Sequence, residues 1–175
     1  TPWLTERHGY DPTSGEPRAA LLYGVTGSGK TRVMTALIDR LLADGRGVIV
    51  LLPEIALTPQ SVAIFCSRYG QRVAVMHSAL SAGERYDAYC RIRRGEADVV
   101  VGTRSAVFAP VRRLGAIIID EEQEHTYKSD QNPKYHARDV ARYRCNYHRA
   151  LMLLASATPS LESYKKAEDG AYTLV

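Results

Sequence analysis

The sequence predicts a three-layer α/β domain built on a central, mainly parallel sheet, and three observations carry that expectation. Short runs that are apolar at every position recur along the chain, as in strands covered on both faces. Segments with apolar residues at helical spacing lie between them, as parallel crossovers require. The first apolar run leads directly into Gly24-Val25-Thr26-Gly27-Ser28-Gly29-Lys30-Thr31, which has the G-x-x-x-x-G-K-[ST] spacing with a helical pattern behind it.

Residues 1–17, rich in Pro, Gly, Thr and charge, are expected to form a leader or connector, with Trp3 and Tyr10 docking on the body; the globular domain is expected over 18–175. Residues 19–23 read as the first buried strand. A helix follows, on which Val33, Met34, Leu37, Ile38, Leu41 and Leu42 share one face. Residues 48–52 form a second strand, entered through Gly45 and Gly47. A helix over 59–69 leads to a third strand at 73–76. Ser81-Ala82-Gly83-Glu84 has the form of a capping box and opens a helix to about residue 94. Residues 99–101 and 116–119 are further strands, 136–147 a helix and 151–154 the last clear strand. A short helical pattern at 161–167 precedes the end at 172–175.

At 175 residues, 45% hydrophobic and 24% charged, the chain suits one domain with a sizeable core, and its globular balance argues against disorder. No apolar run approaches the ~18 residues of a membrane span, so no membrane partner is expected. The three scattered cysteines, Cys66, Cys90 and Cys145, contain no C-x-x-C pair, which favours reduced thiols and a cytoplasmic location over a zinc or disulfide framework. The net charge of +4 is compatible with a polyanionic partner.

The glycine-rich turn supplies the chemistry of a triphosphate cradle. Gly24, Gly27 and Gly29 permit backbone angles that turn successive N–H groups inward, Thr26 and Ser28 complete the loop, and the helix N-terminus adds partial positive charge. Lys30 reaches toward the β- and γ-phosphates, and the Thr31 hydroxyl is a Mg²⁺ ligand. Residues 116–119 end in Asp120-Glu121-Glu122-Gln123, placing carboxylates at the edge of a parallel sheet where ligands bind. Asp120 is the expected Mg²⁺ holder and Glu121 the expected acceptor of a proton from the attacking water. Ser156 and Thr158, after the next strand, are placed to hydrogen-bond both to the acidic residues and to a bound DNA strand; Ser-x-Thr-Pro-Ser also reads as a helix cap, and both readings stand together.

Four segments agree in order and spacing with superfamily 2 helicases: the glycine-rich loop, residues 53–60, the Asp120-Glu121-Glu122 box and Ser156-Ala157-Thr158. Those segments, with 77–87, 102–110 and 135–140, resemble the primosomal protein N′ family of bacterial replication-restart helicases over roughly residues 19–166. The resemblance implies a first RecA-like lobe that uses ATP and Mg²⁺ to move 3′ to 5′ on single-stranded or forked DNA. It also implies a second RecA-like lobe elsewhere in the parent protein, other primosome and single-strand-binding partners, a cytoplasmic, nucleoid-associated place, and zinc only outside this chain. In such helicases His usually follows the two glutamates, whereas here that place is held by Gln123. Two other tasks fit the generic motifs: a duplex DNA translocase of restriction or remodelling type, and, in isolation, a nucleotide-binding module without turnover.

By the same resemblance, Pro53, Glu54 and Thr58 in one loop and Thr103, Arg104 and Ser105 in another hold the backbone of one DNA strand. Arg104 also reads as a salt cap on its own connecting loop. Tyr127, Lys128 and Tyr135 lie in a basic, aromatic segment that resembles the loop coupling DNA to the ATPase site; both tyrosines read either as stacking platforms or as packing on the domain body.

Overall fold

The computed structural model describes residues 19–25 and 27–175; the expected leader at 1–17, with Trp3 and Tyr10, and Thr26 lie outside them. Among the described residues the chain forms seven strands: β1 (Ala19–Tyr23), β2 (Gly47–Leu51), β3 (Val73–Met76), β4 (Val99–Gly102), β5 (Leu114–Asp120), β6 (Leu151–Ser156) and β7 (Thr173–Leu174). They make one sheet in the order β3-β4-β2-β5-β6-β1-β7, with every pairing parallel. Five α-helices accompany it: α1 (Lys30–Ala43), α2 (Pro59–Tyr69), α3 (Ala82–Arg94), α4 (Ala137–His148) and α5 (Leu161–Glu168).

Alternation along each strand feeds two cores. Val48 and Val50 of β2 face Met34, Leu37 and Ile38 of α1 and Phe65 of α2. Ile49 and Leu51 face the opposite way, toward Ile92 of α3 and Ala137, Ala141 and Cys145 of α4. Every residue of β2 is buried, as expected of a strand covered by helices on both faces.

Helix starts follow the local chemistry. The Ser81 side chain accepts from Glu84 N (3.2 Å) while Ser81 N donates to a Glu84 carboxylate oxygen (2.8 Å), so the capping box forms. Thr58 and Ser61 form a second, unforeseen box at the start of α2. His136, expected as the first residue of a helix, is its cap: Nδ1 accepts from Arg138 N (3.1 Å), and α4 starts one residue later. β5 is longer than its apolar run because Leu114 pairs with Gly47 and Asp120 with Ala155, and backbone pairing is indifferent to side-chain polarity. At Gly102 a β-carbon would collide with the Met76 carbonyl oxygen, so only glycine allows β4 to end there.

Candidate functional site

The glycine-rich loop leaves β1 beside β6, where Gly24 N donates to Ser156 O (3.2 Å). Gly27 and Gly29 have φ of 81° and 93°, a left-handed conformation that tolerates no side chain without strain. At Gly24 a β-carbon would meet Ser28 Oγ at 2.6 Å, so a larger residue there requires the Ser28 side chain to move. Arg32 N and Val33 N both reach Gly29 O (2.9 and 3.2 Å), and the N–H groups ahead of them have no acceptor within the helix. Lys30 Nζ folds back and donates to Gly24 O (2.6 Å) and Val25 O (3.3 Å), holding its ammonium over the loop. Thr31 is exposed at the same helix start. Glycines at positive φ, an ammonium over the hollow and open helix-end amides are the donor set a triphosphate requires.

Asp120 ends β5, and β5, β6 and β1 are neighbours, so the acidic residues and the glycine-rich loop share one sheet edge. Burial pushes the Asp120 carboxyl above the usual carboxylate range and the Glu121 charge adds to this, while the Glu121 N–H and the Lys30 charge pull the other way. Glu121 sits at φ 45°, a left-handed conformation uncommon outside glycine, with its N–H donating to Asp120 Oδ1 (3.0 Å). Gln123 Nε2 donates to Glu121 Oε2 (3.0 Å), and its Oε1 accepts from Ser156 Oγ (2.6 Å), which in turn accepts from Thr158 N (2.9 Å). Gln123 thus uses both ends of its amide to join Glu121 to the end of β6, a link that needs one donor and one acceptor on the same side chain.

Sequence reasoning assigned no role to Glu122, which proves to be the anchor of the turn. Its side chain has 0% exposure and accepts from Ser160 N (2.6 Å), Ser160 Oγ (3.2 Å), Ser163 Oγ (2.9 Å) and Arg138 Nη1 (3.4 Å). The carboxylate therefore sits at the N-terminus of α5, and Arg138, also paired with Glu162 (2.5 Å), joins α4 to the same cluster. The clue in the sequence was a third acid in a row directly after a strand, with no obvious phosphate or metal duty.

The DNA-side expectations divide. Pro53 is buried and Glu54 exposed, while the Thr58 hydroxyl accepts from Ser61 N (3.2 Å) as the cap of α2. Thr103 is buried; Ser105 and Lys128 are exposed. Arg104 does not project freely: Nη1 donates to Thr126 O (3.0 Å) and to Lys128 O, and its guanidinium lies 6.0 Å from the centre of the Tyr135 ring. These bonds tie Arg104 to the segment after β5 rather than to its own connecting loop. Tyr127 is not a stacking platform. It is 1% exposed, and its hydroxyl donates to Asp120 O (2.6 Å) and Leu51 O (3.1 Å); burial is the chief cause that pushes the hydroxyl's pKa far above its usual value. Tyr135 packs edge-on against exposed Phe108 (5.0 Å between centres).

Residues 10–167 match the family model described as DEAD/DEAH box helicase. The chain belongs to this family. It is 53% identical over 162 residues to the replication restart protein PriA of Bacillus subtilis, covering 93% of this chain and 20% of that protein. It is 47% identical over 154 residues to that of Treponema pallidum, covering 88% of this chain and 23% of that protein. The chain spans about a fifth of the length of these curated relatives. Among solved structures it is similar to RecG bound to a three-way DNA junction (TM-score 0.59, 26% identity, 89% of this chain and 20% of RecG). The Hef helicase domain of Pyrococcus furiosus (TM-score 0.61, 17% identity, 93% of this chain and 36% of that chain) shares the fold. Among the described residues no helix is long and apolar enough to cross a membrane.

Proposed function

We propose that this chain is the ATP-binding motor lobe of a cytoplasmic DNA helicase acting in replication restart, 3′ to 5′ on single-stranded or forked DNA, with other primosome proteins as partners. The observation that carries the reading is the Glu121–Gln123–Ser156 hydrogen-bond chain running beside the glycine-rich loop on one sheet edge. It joins a candidate proton acceptor to a candidate DNA-side segment, which is what coupling hydrolysis to movement requires. The protein names PriA and RecG among its relatives support the DNA substrate.

In this reading the loop amides and Lys30 bind the phosphates, and Lys30 exchanges its bonds to Gly24 O and Val25 O for phosphate oxygens. Thr31 and Asp120 would hold Mg²⁺, which when bound neutralises charge developing on the phosphates. Glu121, held by Gln123, orients water and takes its proton. Gln123 supplies the coupling contact in place of the usual His, and a second lobe supplies the arginine that stabilises transferred charge. A DNA phosphate at residues 103–105 competes for Arg104, releases the Thr126 and Lys128 carbonyls, and so moves the loop whose Tyr127 is bonded to Asp120 O.

A fluorescent ATP analogue with Mg²⁺ tests the nucleotide half. Lys30→Ala is expected to weaken binding at least ~10-fold, the equivalent of one charge-assisted hydrogen bond, whereas Glu121→Gln retains it. Unchanged binding by Lys30→Ala overturns the assignment. Turnover by this chain alone is expected to be negligible, because lack of an arginine finger costs ~10³–10⁵ in rate.

A further inference from the structure

The sheet has a second charged edge, opposite the nucleotide loops. Arg46 immediately precedes β2, Arg112 and Arg113 immediately precede β5, and Arg149 stands two residues before β6. Arg113 Nη1 lies over Gly45, where a β-carbon would be 3.1 Å away, and Arg112 Cδ lies over Gly95 (3.8 Å) ahead of β4. Arg46 Nη2 donates to Leu114 O (2.9 Å) and Arg149 O (3.0 Å), fixing its guanidinium across the same turns. Strands β4, β2, β5 and β6 are consecutive in the sheet, so this row of arginines spans three strand spacings, roughly 15 Å.

The acids on this edge are already engaged: Asp44 with Arg40 (4.0 Å), Glu96 with Arg94 (3.7 Å) and Asp98 with Arg72 (2.5 Å). Among the described residues Arg112 and Arg113, both exposed, make no ion pair. At the β6 end of the row stand two exposed aromatics one helical turn apart on α4, Tyr143 and Tyr147 (72% and 76% exposed), with the Tyr147 ring edge-on to His148 (5.1 Å). Burial, then the Arg144 and Arg46 charges, lower the pKa of His148, consistent with excess positive charge at that end.

We propose that this amino edge binds the phosphodiester backbone of a second stretch of single-stranded DNA. Phosphates recur every ~3.4 Å of axis along a duplex strand and farther apart along an extended single strand, so the row spans at most about four of them. Arginines supply sequence-independent affinity, and Tyr147 with Tyr143 supplies faces on which bases stack, a pairing suited to a single strand rather than to an acidic peptide. The inference rests on the chain being a DNA motor lobe, but uses the edge remote from Arg104 and Lys128.

The test is fluorescence anisotropy of a labelled 20-nucleotide oligo-dT over a range of salt, with thermal melts to confirm folding. Arg112→Glu/Arg113→Glu is expected to weaken binding at least fivefold. Arg112→Gln/Arg113→Gln is expected to reduce the salt slope by ~1.4, two phosphates at ~0.7 each for a single strand. Tyr147→Ala is expected to lose several-fold affinity with the slope unchanged, and binding of the ATP analogue stays intact in all three. Unchanged oligo-dT binding by both arginine variants overturns the amino-edge site; if Lys128→Glu then weakens binding, the carboxyl-edge reading survives alone. No oligo-dT binding by the unaltered chain overturns both. Equal losses for oligo-dT and poly-glutamate, with Tyr147→Ala silent, mark a general anion surface and overturn the assignment to DNA.

Discussion

Removing the Glu122 carboxylate should destabilise the whole domain, because it anchors the start of α5. In Glu122→Ala, Ser160 N–H at the start of α5 loses a charged acceptor at 2.6 Å, worth about 1.5–3 kcal/mol. Ser160 and Ser163 lose one acceptor but keep each other (3.0 Å), so the hydroxyls contribute about 1 kcal/mol. Arg138, 17% exposed, retains Glu162 as partner, which moderates the cost of leaving a half-buried charge. The total is about 3–5 kcal/mol, the range for breaking a buried ion pair from one side. At about 2–4 °C per kcal/mol for a domain of this size, Tm should fall by roughly 6–20 °C. Glu122→Gln, which keeps one acceptor oxygen, should lose less than half of that. Glu162→Ala, at a side chain 55% exposed, should shift Tm by no more than ~2 °C. Thermal unfolding followed by circular dichroism reads all three. A Glu122→Ala protein melting within 2 °C of the parent would refute the clamp.

Tyr127→Phe removes a buried hydroxyl from Asp120 O and Leu51 O and should cost about 1–2 kcal/mol, read in urea as a lower midpoint with unchanged slope; equal or greater stability contradicts the strut. The Asp120 carboxyl is held above its unfolded value, so its contribution is favourable below about pH 3.9 and is lost as pH rises through the folded pKa. Asp120→Asn should therefore raise Tm at pH 7, the gain vanishing below about pH 3.9; a gain that persists in acid would mean another cause. Gly102→Ala drives a methyl into the Met76 carbonyl and should cost about 1–3 kcal/mol or more, whereas Gly83→Ala, where a β-carbon meets nothing within 4 Å, should not destabilise. Soluble yield and Tm compare the two.

Much of the molecule was legible in the chain because the signals are local. Apolar runs at 48–52 and 116–119, the capping box at Ser81 and the spacing from Gly24 to Thr31 each act within a few residues, and each produces the expected element. At His136 and at both ends of β5, a cap or a backbone pairing replaced a pattern of side chains. Tyr127, Arg104 and Glu122 were read least well, and for each the deciding partner is remote: Leu51 lies 76 residues from Tyr127, Thr126 lies 22 from Arg104 and Ser160 lies 38 from Glu122.

The sequence by itself determined the class of fold, the order of its elements and the glycine-rich turn after β1, since periodicity, caps and glycine angles are properties of neighbouring residues. Only the tertiary structure decided that Tyr127 is a strut, that Arg104 clasps a loop and that Glu122 anchors α5. Those roles depend on which strands lie side by side. The strand order β4-β2-β5-β6 is set by burying two cores at once, a condition no local stretch of chain expresses.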